Sequence, residues 1–234
     1  MHPIFENAAA FFVISGFIAA LLIKSDISSG HPQKMKIMCP VWVLSGLWGN
    51  WAALYAYFKI GRIPAGNPQM NVQMSSMEGM SMTPARPLWQ RVLLSTLHCG
   101  AGCTLADIAG EWFTYFVPVS AFGSYLAGQW ILDYVLALIF GAGFQYAAIR
   151  PMESLSVFQT AIKALKIDFM SLTAWQIGMY GFMAVVIFGF GGGAAPSKTG
   201  WEFWFMMQLA MFCGFAVSYP VNGFLVKYGI KKAM

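Results

Sequence analysis

The residues best suited to chemistry lie in one stretch, Leu97 to Trp112, inside a long apolar segment. In a helix its sulfur and carboxyl side chains recur at every fourth position, where successive members are offset by only about 40° around the axis. These residues are Cys99, Cys103, Asp107 and Glu111. Gly102, Ala106 and Gly110 form a second ridge of small residues, a pattern that lets another helix approach closely in lipid. The stretch therefore predicts polar side chains beside a tight helix contact.

Sulfur and imidazole favour soft metal ions. Thiolate selects Cu(I) or Zn²⁺ and imidazole suits both, whereas sites made only of oxygen favour Mg²⁺ and Ca²⁺. We therefore predict a metal site formed by Cys99 and Cys103, with His98 as a further ligand. The alternative is that the small thiols and glycines only permit close packing while His98 forms a hydrogen bond to a neighbouring helix.

Carboxylates inside apolar segments are costly and are usually functional. Asp107, Glu111 and Asp133 are three such residues, and we expect them to carry protons or a cation. Placement of Glu111 in water at the end of its helix is the alternative for that residue. No Lys or Arg within the predicted spans is available to neutralise Asp133, so this residue is either protonated or close to a cation or water.

Methionines are concentrated in two settings. Five lie in an otherwise polar loop over residues 61–87, where thioethers suit capture of Cu(I), although chance enrichment in a disordered loop is the alternative. They are Met70, Met74, Met77, Met80 and Met82. Four more form pairs at i,i+4 spacing within predicted spans, a spacing similar to that of eukaryotic copper-uptake transporters, with ordinary core packing as the alternative. These are Met179, Met183, Met207 and Met211.

The composition is that of a membrane protein. Of the 234 residues, 58% are hydrophobic and 10% are charged, against about 25% charged in soluble domains. The small net charge of +5 lies mainly beside apolar runs, which suits membrane topology and phospholipid contact rather than nucleic-acid binding. The predicted fold class is all-α, a polytopic helix bundle in the lipid bilayer.

About six spans have the length needed to cross some 30 Å of hydrocarbon. They are predicted at 7–23, 37–58, 88–116, 119–149, 169–190 and 201–226, all within one domain. Residues 154–166 are mildly amphipathic and predict a helix lying at the membrane interface. Six spans place both termini on one side, and ten of the fourteen Lys and Arg residues fall on that side. Both termini are therefore expected in the cytoplasm of a bacterial inner membrane.

Several motifs resemble one known family. They occur in order over about residues 88–234, namely Leu97-His98-Cys99-Gly100-Ala101-Gly102-Cys103, Phe144-Gln145-Tyr146, Asp168-Phe169-Met170-Ser171-Leu172-Thr173, Gln176-Ile177-Gly178-Met179-Tyr180-Gly181, Gly214 to Asn222 and Gly229 to Met234. This pattern is similar to the bacterial membrane family called domain of unknown function 4396. The resemblance implies a polytopic inner-membrane protein and does not assign an activity.

The leading functional hypothesis is binding and transport of a soft metal ion, with Cu(I) as the best candidate. A metallochaperone or other subunits of a membrane complex are the expected protein partners. Two alternatives stay open at this point, a membrane thiol oxidoreductase that uses Cys99 and Cys103, and a non-catalytic subunit of a larger complex. Burial of thiols within helices argues against the oxidoreductase, because disulfide exchange needs an accessible thiolate.

Overall fold

A computed structural model of the chain describes residues 3–33, 35–63, 86–151, 154–193 and 196–231. These residues form helices and contain no strand. The helices are α1 (Pro3–Ser28), α2 (Met38–Ala56, continued by a π-helical turn at Tyr57–Gly61), α3 (Leu88–Phe116), α4 (Tyr125–Ile149), α5 (Val157–Ala184, continued by π-helical turns at Val185–Phe190) and α6 (Trp201–Lys227). Five of the six, all except α2, are long and apolar enough to cross a membrane. The predicted all-helical membrane bundle is confirmed.

Helix α2 is folded back on itself at Asn50. The backbone there has φ 48° and ψ −130°, far from helical values, so the residues on either side form two arms of a hairpin. The arms pack together, and the rings of Trp42 and Tyr57 lie 5.5 Å apart at centroids. Met38 to Gly49 is the first arm and Trp51 to Gly61 is the second.

Contacts with α1 show how far the hairpin reaches. Ser15, in the middle of α1, donates a 3.0 Å hydrogen bond to Asn50 at the tip. The second arm then returns to the end of α1, where the Tyr57 hydroxyl donates to Asp26 at 2.8 Å and Arg62 forms an ion pair with the same carboxylate at 3.0 Å. The hairpin thus runs about halfway along α1 and comes back to its starting end.

The prediction of a single crossing at 37–58 is therefore wrong. The segment has the length of a span, but it is not among the helices apolar enough to cross, and a residue at positive φ reverses the chain in its middle. Proline is absent from the turn, and the Gly49-Asn50 pair is the only local sign of a break. The structure has five helices suited to crossing instead of the predicted six.

The two ends of the bundle can be defined from contacts between helices. Helices α1 and α6 run parallel and begin at the same end, where Phe5 and Phe205 lie 6.1 Å apart at ring centroids. We call this the amino end. At the other end, Tyr219 near the end of α6 donates to the Trp89 carbonyl at the start of α3, and we call it the carboxyl end. The hairpin α2 enters and leaves from the carboxyl end.

Helix α3 lies at the centre, packed against α2, α4, α5 and α6. Its small residues allow this, as predicted. A β-carbon on Gly102 would lie 2.8 Å from the Gly141 Cα of α4, and one on Gly110 would collide with Asp133. Close approach of two backbones through small residues is the usual way in which helices associate in lipid.

Other boundaries differ modestly from prediction. Residues 154–166 do not form a separate helix, because α5 begins at Val157, behind a capping box of Ser156 and Gln159, and continues unbroken into the predicted fifth span. Helix α4 begins at Tyr125 rather than at residue 119, since Phe122 and Gly123 take positive φ in a turn before it. Helix α6 continues through Pro220.

Candidate functional site

The predicted ridge of α3 is buried along its whole length. His98, Cys99 and Cys103 are fully enclosed, and the two carboxyl residues of the ridge, Asp107 and Glu111, are each only 4% exposed. At 1.5 Å per residue, the ridge from Cys99 to Glu111 extends for about 18 Å along the bundle. It connects two polar clusters, one towards each end.

The first group, which we call the lysine cluster, consists of Cys99, Asp168, Asn222 and Lys231. The Lys231 ammonium, beyond the end of α6, is fully buried and points back into the bundle. Its Nζ donates to Cys99 Sγ at 2.8 Å, Asp168 Oδ1 at 2.9 Å and Asn222 Oδ1 at 3.3 Å. Cys99 and Asp168 are also in contact, with Sγ 3.2 Å from Oδ1. A positive charge thus lies against both sulfur and carboxylate.

Hydroxyl and amide groups hold the lysine cluster in place. Ser171 Oγ lies 2.7 Å from Cys99 Sγ, and the Asn222 amide donates to Ser171 and Ser218 at 2.9 Å each. Burial by itself would lower the pKa of the Lys231 ammonium, but the Asp168 carboxylate and the Cys99 sulfur outweigh this effect and hold the pKa above its ordinary value. Lys231 is therefore charged.

The predicted metal ligands do not converge on one point. Neither ring nitrogen of His98 makes a hydrogen bond to the described residues, and the ring packs edge-on against Phe144 at 5.8 Å. In the part of the chain that the structure describes, no three His, Cys, Asp or Glu side chains are grouped as a metal site requires. The Cys99 sulfur contacts Lys231 instead.

The second group, which we call the carboxylate cluster, consists of Asp107, Glu111 and Asp133, near the amino end. Glu111 is paired with Lys198 from the loop before α6, at 2.7 Å, and the same ammonium donates to Thr114 at 2.6 Å. Both oxygens of Asp107 and Oδ1 of Asp133 are buried and have no hydrogen-bond partner among the described residues. Among the described residues, Lys198 therefore pairs with Glu111 alone of the three acidic side chains.

Two cavities adjoin the carboxylate cluster. The smaller has a volume of about 20 Å³, enough for one water molecule or a bare ion, and Asp133, Glu111, Met179, Met183 and Met207 are among the residues that line it. The larger, of about 430 Å³, lies between α1, α2, α3 and α6. Its lining includes Asp107, Met207, Met211 and, from just before the hairpin tip, Trp48. Met207 is common to both cavities.

The four spaced methionines lie beside these cavities, Met179 and Met183 at the smaller, Met211 at the larger and Met207 at both. All are buried, and each lines a cavity that a carboxyl residue also lines. Core packing and ligand binding are both compatible with this position. The loop residues Met70, Met74, Met77, Met80 and Met82 lie outside the described part of the chain.

Sequence reasoning missed the cations. Lys198 and Lys231 flank apolar segments, where a lysine is typical of membrane topology, yet both contact acidic residues of the bundle. Asp168 and Asn222 belong to the quoted family motifs but carried no assigned role. A signal was present, because an Asp eleven residues into an apolar helix needs a positive partner. Nothing in the local sequence identifies which lysine supplies it.

Comparison with known proteins places the chain in one family. The model of the family described as domain of unknown function DUF4396 matches residues 88–231, which include α3 to α6 and every member of both clusters. No curated protein and no solved structure matches the chain. Since the matched region covers more than half of its length, the chain belongs to the DUF4396 family.

Proposed function

We propose that this protein binds a small, soft cation and transports it across the membrane, with Cu(I) as the best candidate. The observation that carries the proposal is the small cavity whose lining includes three methionines and two acidic residues. Thioether sulfur is a neutral, soft ligand that prefers Cu(I). A neighbouring carboxylate supplies the negative charge that a monovalent cation needs when it leaves water.

The hairpin α2 supports transport rather than a structural role. A chain that turns around at membrane depth leaves backbone groups without helical partners, and such turns are tolerated only within protein or beside a watery cavity. Here Leu47 and Trp48, just before the turn at Asn50, line the larger cavity together with Asp107. Broken helices beside a central binding site are a recurring feature of transporters.

The ridge of α3 offers a path between the two ends. A cation in the small cavity, beside Glu111 and Asp133, would meet Asp107 one turn further along α3, then Cys103 and finally Cys99 in the lysine cluster. Polar groups separated by one helical turn, about 6 Å, are close enough for stepwise transfer of an ion or a proton.

The fold also changes the proposed orientation. With five crossings, Lys198 is the only Lys or Arg among the described residues of the amino-end loops, and the other eleven that the structure describes lie towards the carboxyl end. Because positive residues remain in the cytoplasm, we place the carboxyl end and residues 61–87 there and the amino terminus outside. We retain a bacterial inner membrane as the proposed location.

The test is uptake of Cu(I), or of Ag(I) as its redox-stable analogue, by liposomes containing the purified protein. Met183→Leu removes a thioether from the small cavity while keeping the side-chain volume, and Asp133→Asn removes the charge. We expect each to slow uptake by about tenfold or more, equivalent to about 1.4 kcal/mol.

Met170→Leu is the matched control, because this methionine is on the same helix, is 52% exposed and lines neither cavity. Its uptake rate should equal that of the wild type. Equal rates in all the variants, or a wild-type rate no greater than that of empty liposomes, would contradict the proposal.

A further inference from the structure

We propose that the lysine cluster is a cation-binding site in which the Lys231 ammonium holds the place of a soft monovalent ion, and that the two exchange. The identity of the ion rests on the proposed function, whereas the site itself rests on the contacts of Lys231. In this view the end of the chain carries a tethered competitor for the transported cation.

The cluster has the ligands of a cation site. The ammonium is surrounded by a sulfur, a carboxylate oxygen and an amide oxygen at 2.8 to 3.3 Å. The second carboxylate oxygen, Asp168 Oδ2, is buried and makes no hydrogen bond within the described parts of the chain. Asp168 itself is fully buried. The site therefore has an unused acceptor that a lysine, with its three N–H groups already directed elsewhere, does not satisfy.

Charge balance selects a monovalent ion. In a bilayer interior an uncompensated charge costs several kcal/mol, and the lysine cluster contains one carboxylate against one ammonium. A soft ion binds the Cys99 thiolate, and the thiol proton can pass to Asp168, whose Oδ1 lies 3.2 Å from Sγ. An ion of charge +1 then balances the thiolate as the ammonium balanced the carboxylate. Sulfur in the set favours Cu(I) or Ag(I) over the alkali ions.

Lys231 is also positioned to leave. It lies beyond the end of α6, after a turn in which Gly229 has a φ of 70°. The side chains of Tyr228 and Ile230 are 64% and 48% exposed, and the backbone of Lys231 is tied to α6 by a hydrogen bond from its N–H to the Leu225 carbonyl at 3.1 Å. Movement of the turn would break this backbone hydrogen bond and carry the ammonium towards the carboxyl end.

Acetylation of lysine by a water-soluble reagent tests the exchange in the full chain. The protein carries Cys39→Ser and Cys213→Ser, which removes the two partly exposed thiols. In chloride-free detergent solution, Lys231 should resist acetylation, and silver nitrate should increase its acetylation by about tenfold or more as read by peptide mass spectrometry. Exposed Lys227 is the internal control and should be modified equally with and without silver.

Cys99→Ser provides the second measurement. Serine keeps a polar contact for the ammonium but removes the soft ligand, so Lys231 should stay protected even when silver is added. If silver leaves Lys231 protected in the parent protein, or releases it equally from Cys99→Ser, the exchange is wrong.

The outcomes also separate this proposal from transport. Uptake of Ag(I) by liposomes with Lys231 always protected would refute the exchange and leave transport standing. Silver-dependent release of Lys231 without uptake of Ag(I) would refute transport and support the exchange.

Discussion

The two acidic residues of the small cavity differ in what neutralises them. Glu111 has a lysine at 2.7 Å, whereas Asp133 has a buried oxygen without a partner among the residues described. Breaking a buried ion pair by removing one partner leaves an uncompensated charge and costs about 3 kcal/mol or more. Replacing a carboxylate that has no partner by the isosteric amide removes a charge and breaks no pair. Removal of the lysine that pairs with Glu111 should therefore lower the stability, whereas removal of the charge on Asp133 should not.

Lys198→Met should lower the melting temperature of the purified protein by about 6–12 °C, from a loss of about 3 kcal/mol in a chain of this length. Asp133→Asn should leave it unchanged or raise it. Thermal unfolding in detergent, followed by tryptophan fluorescence, measures both. The double variant Lys198→Met/Glu111→Gln should recover part of the lost melting temperature, because no unpaired charge remains. If its effect equals the sum of the two single effects, the pair is not coupled.

For individual residues, the sequence predicted which side chains share a helix face better than it predicted which side chains contact each other. Because Cys99, Cys103 and Asp107 lie four residues apart in one helix, they share a ridge whatever surrounds them. All three are buried. The pairing of Asp168 with Lys231 joins residues 63 positions apart. It depends on how α5 and α6 pack and on a turn after α6, and neither is encoded in local spacing.

Among the helices, α3 is determined by its local sequence, whereas α2 depends on tertiary contacts. The bounds of α3, Leu88–Phe116, are those predicted, because Pro87 and Pro118 flank an uninterrupted apolar run. The segment that forms α2 is also long enough to span, but it is not among the helices apolar enough to cross. Its reversal is stabilised by tertiary contacts, including the hydrogen bond from Ser15 to Asn50 and the return of Tyr57 to Asp26. The length of a segment alone does not distinguish a hairpin from a crossing.

Substitution of Asn50 distinguishes the two directly. At φ 48° and ψ −130° glycine is unstrained, whereas a residue with a β-carbon carries about 1–3 kcal/mol of strain. Both Asn50→Gly and Asn50→Ala lose the hydrogen bond from Ser15, so their difference isolates the backbone. We expect the glycine variant to melt about 2–12 °C above the alanine variant.

A straight helix would reverse this order, since alanine is favoured over glycine by about 1 kcal/mol in a helix interior. Gly143→Ala is the reference substitution, because it lies in α4 and a β-carbon there meets nothing within 4 Å. Alanine should be neutral or stabilising at position 143 and destabilising, relative to glycine, at position 50.

For the whole molecule, the family match and the hairpin divide the chain into two parts. Helices α3 to α6 lie in the matched region and contain the polar ridge and both clusters. Helices α1 and α2 precede that region and form one side of the larger cavity, where Val13, Phe17 and Trp48 face residues of α3 and α6. The first two helices therefore shape access to the carboxylate cluster without supplying its acidic residues.

The number of crossings decides which loops share a side, and this can be tested without knowing the direction of transport. Five crossings place Ser29, after α1, and Ser197, before α6, on opposite sides, whereas six would place them together. Both side chains are exposed. In the Cys39→Ser/Cys213→Ser background, Ser197→Cys should react with an impermeant maleimide in intact spheroplasts, and Ser29→Cys should react only after lysis.

Lys227→Cys should behave as Ser29→Cys does, because both lie towards the carboxyl end. Equal reaction of positions 29 and 197 in intact spheroplasts would mean that α2 crosses the membrane, and the hairpin would be wrong.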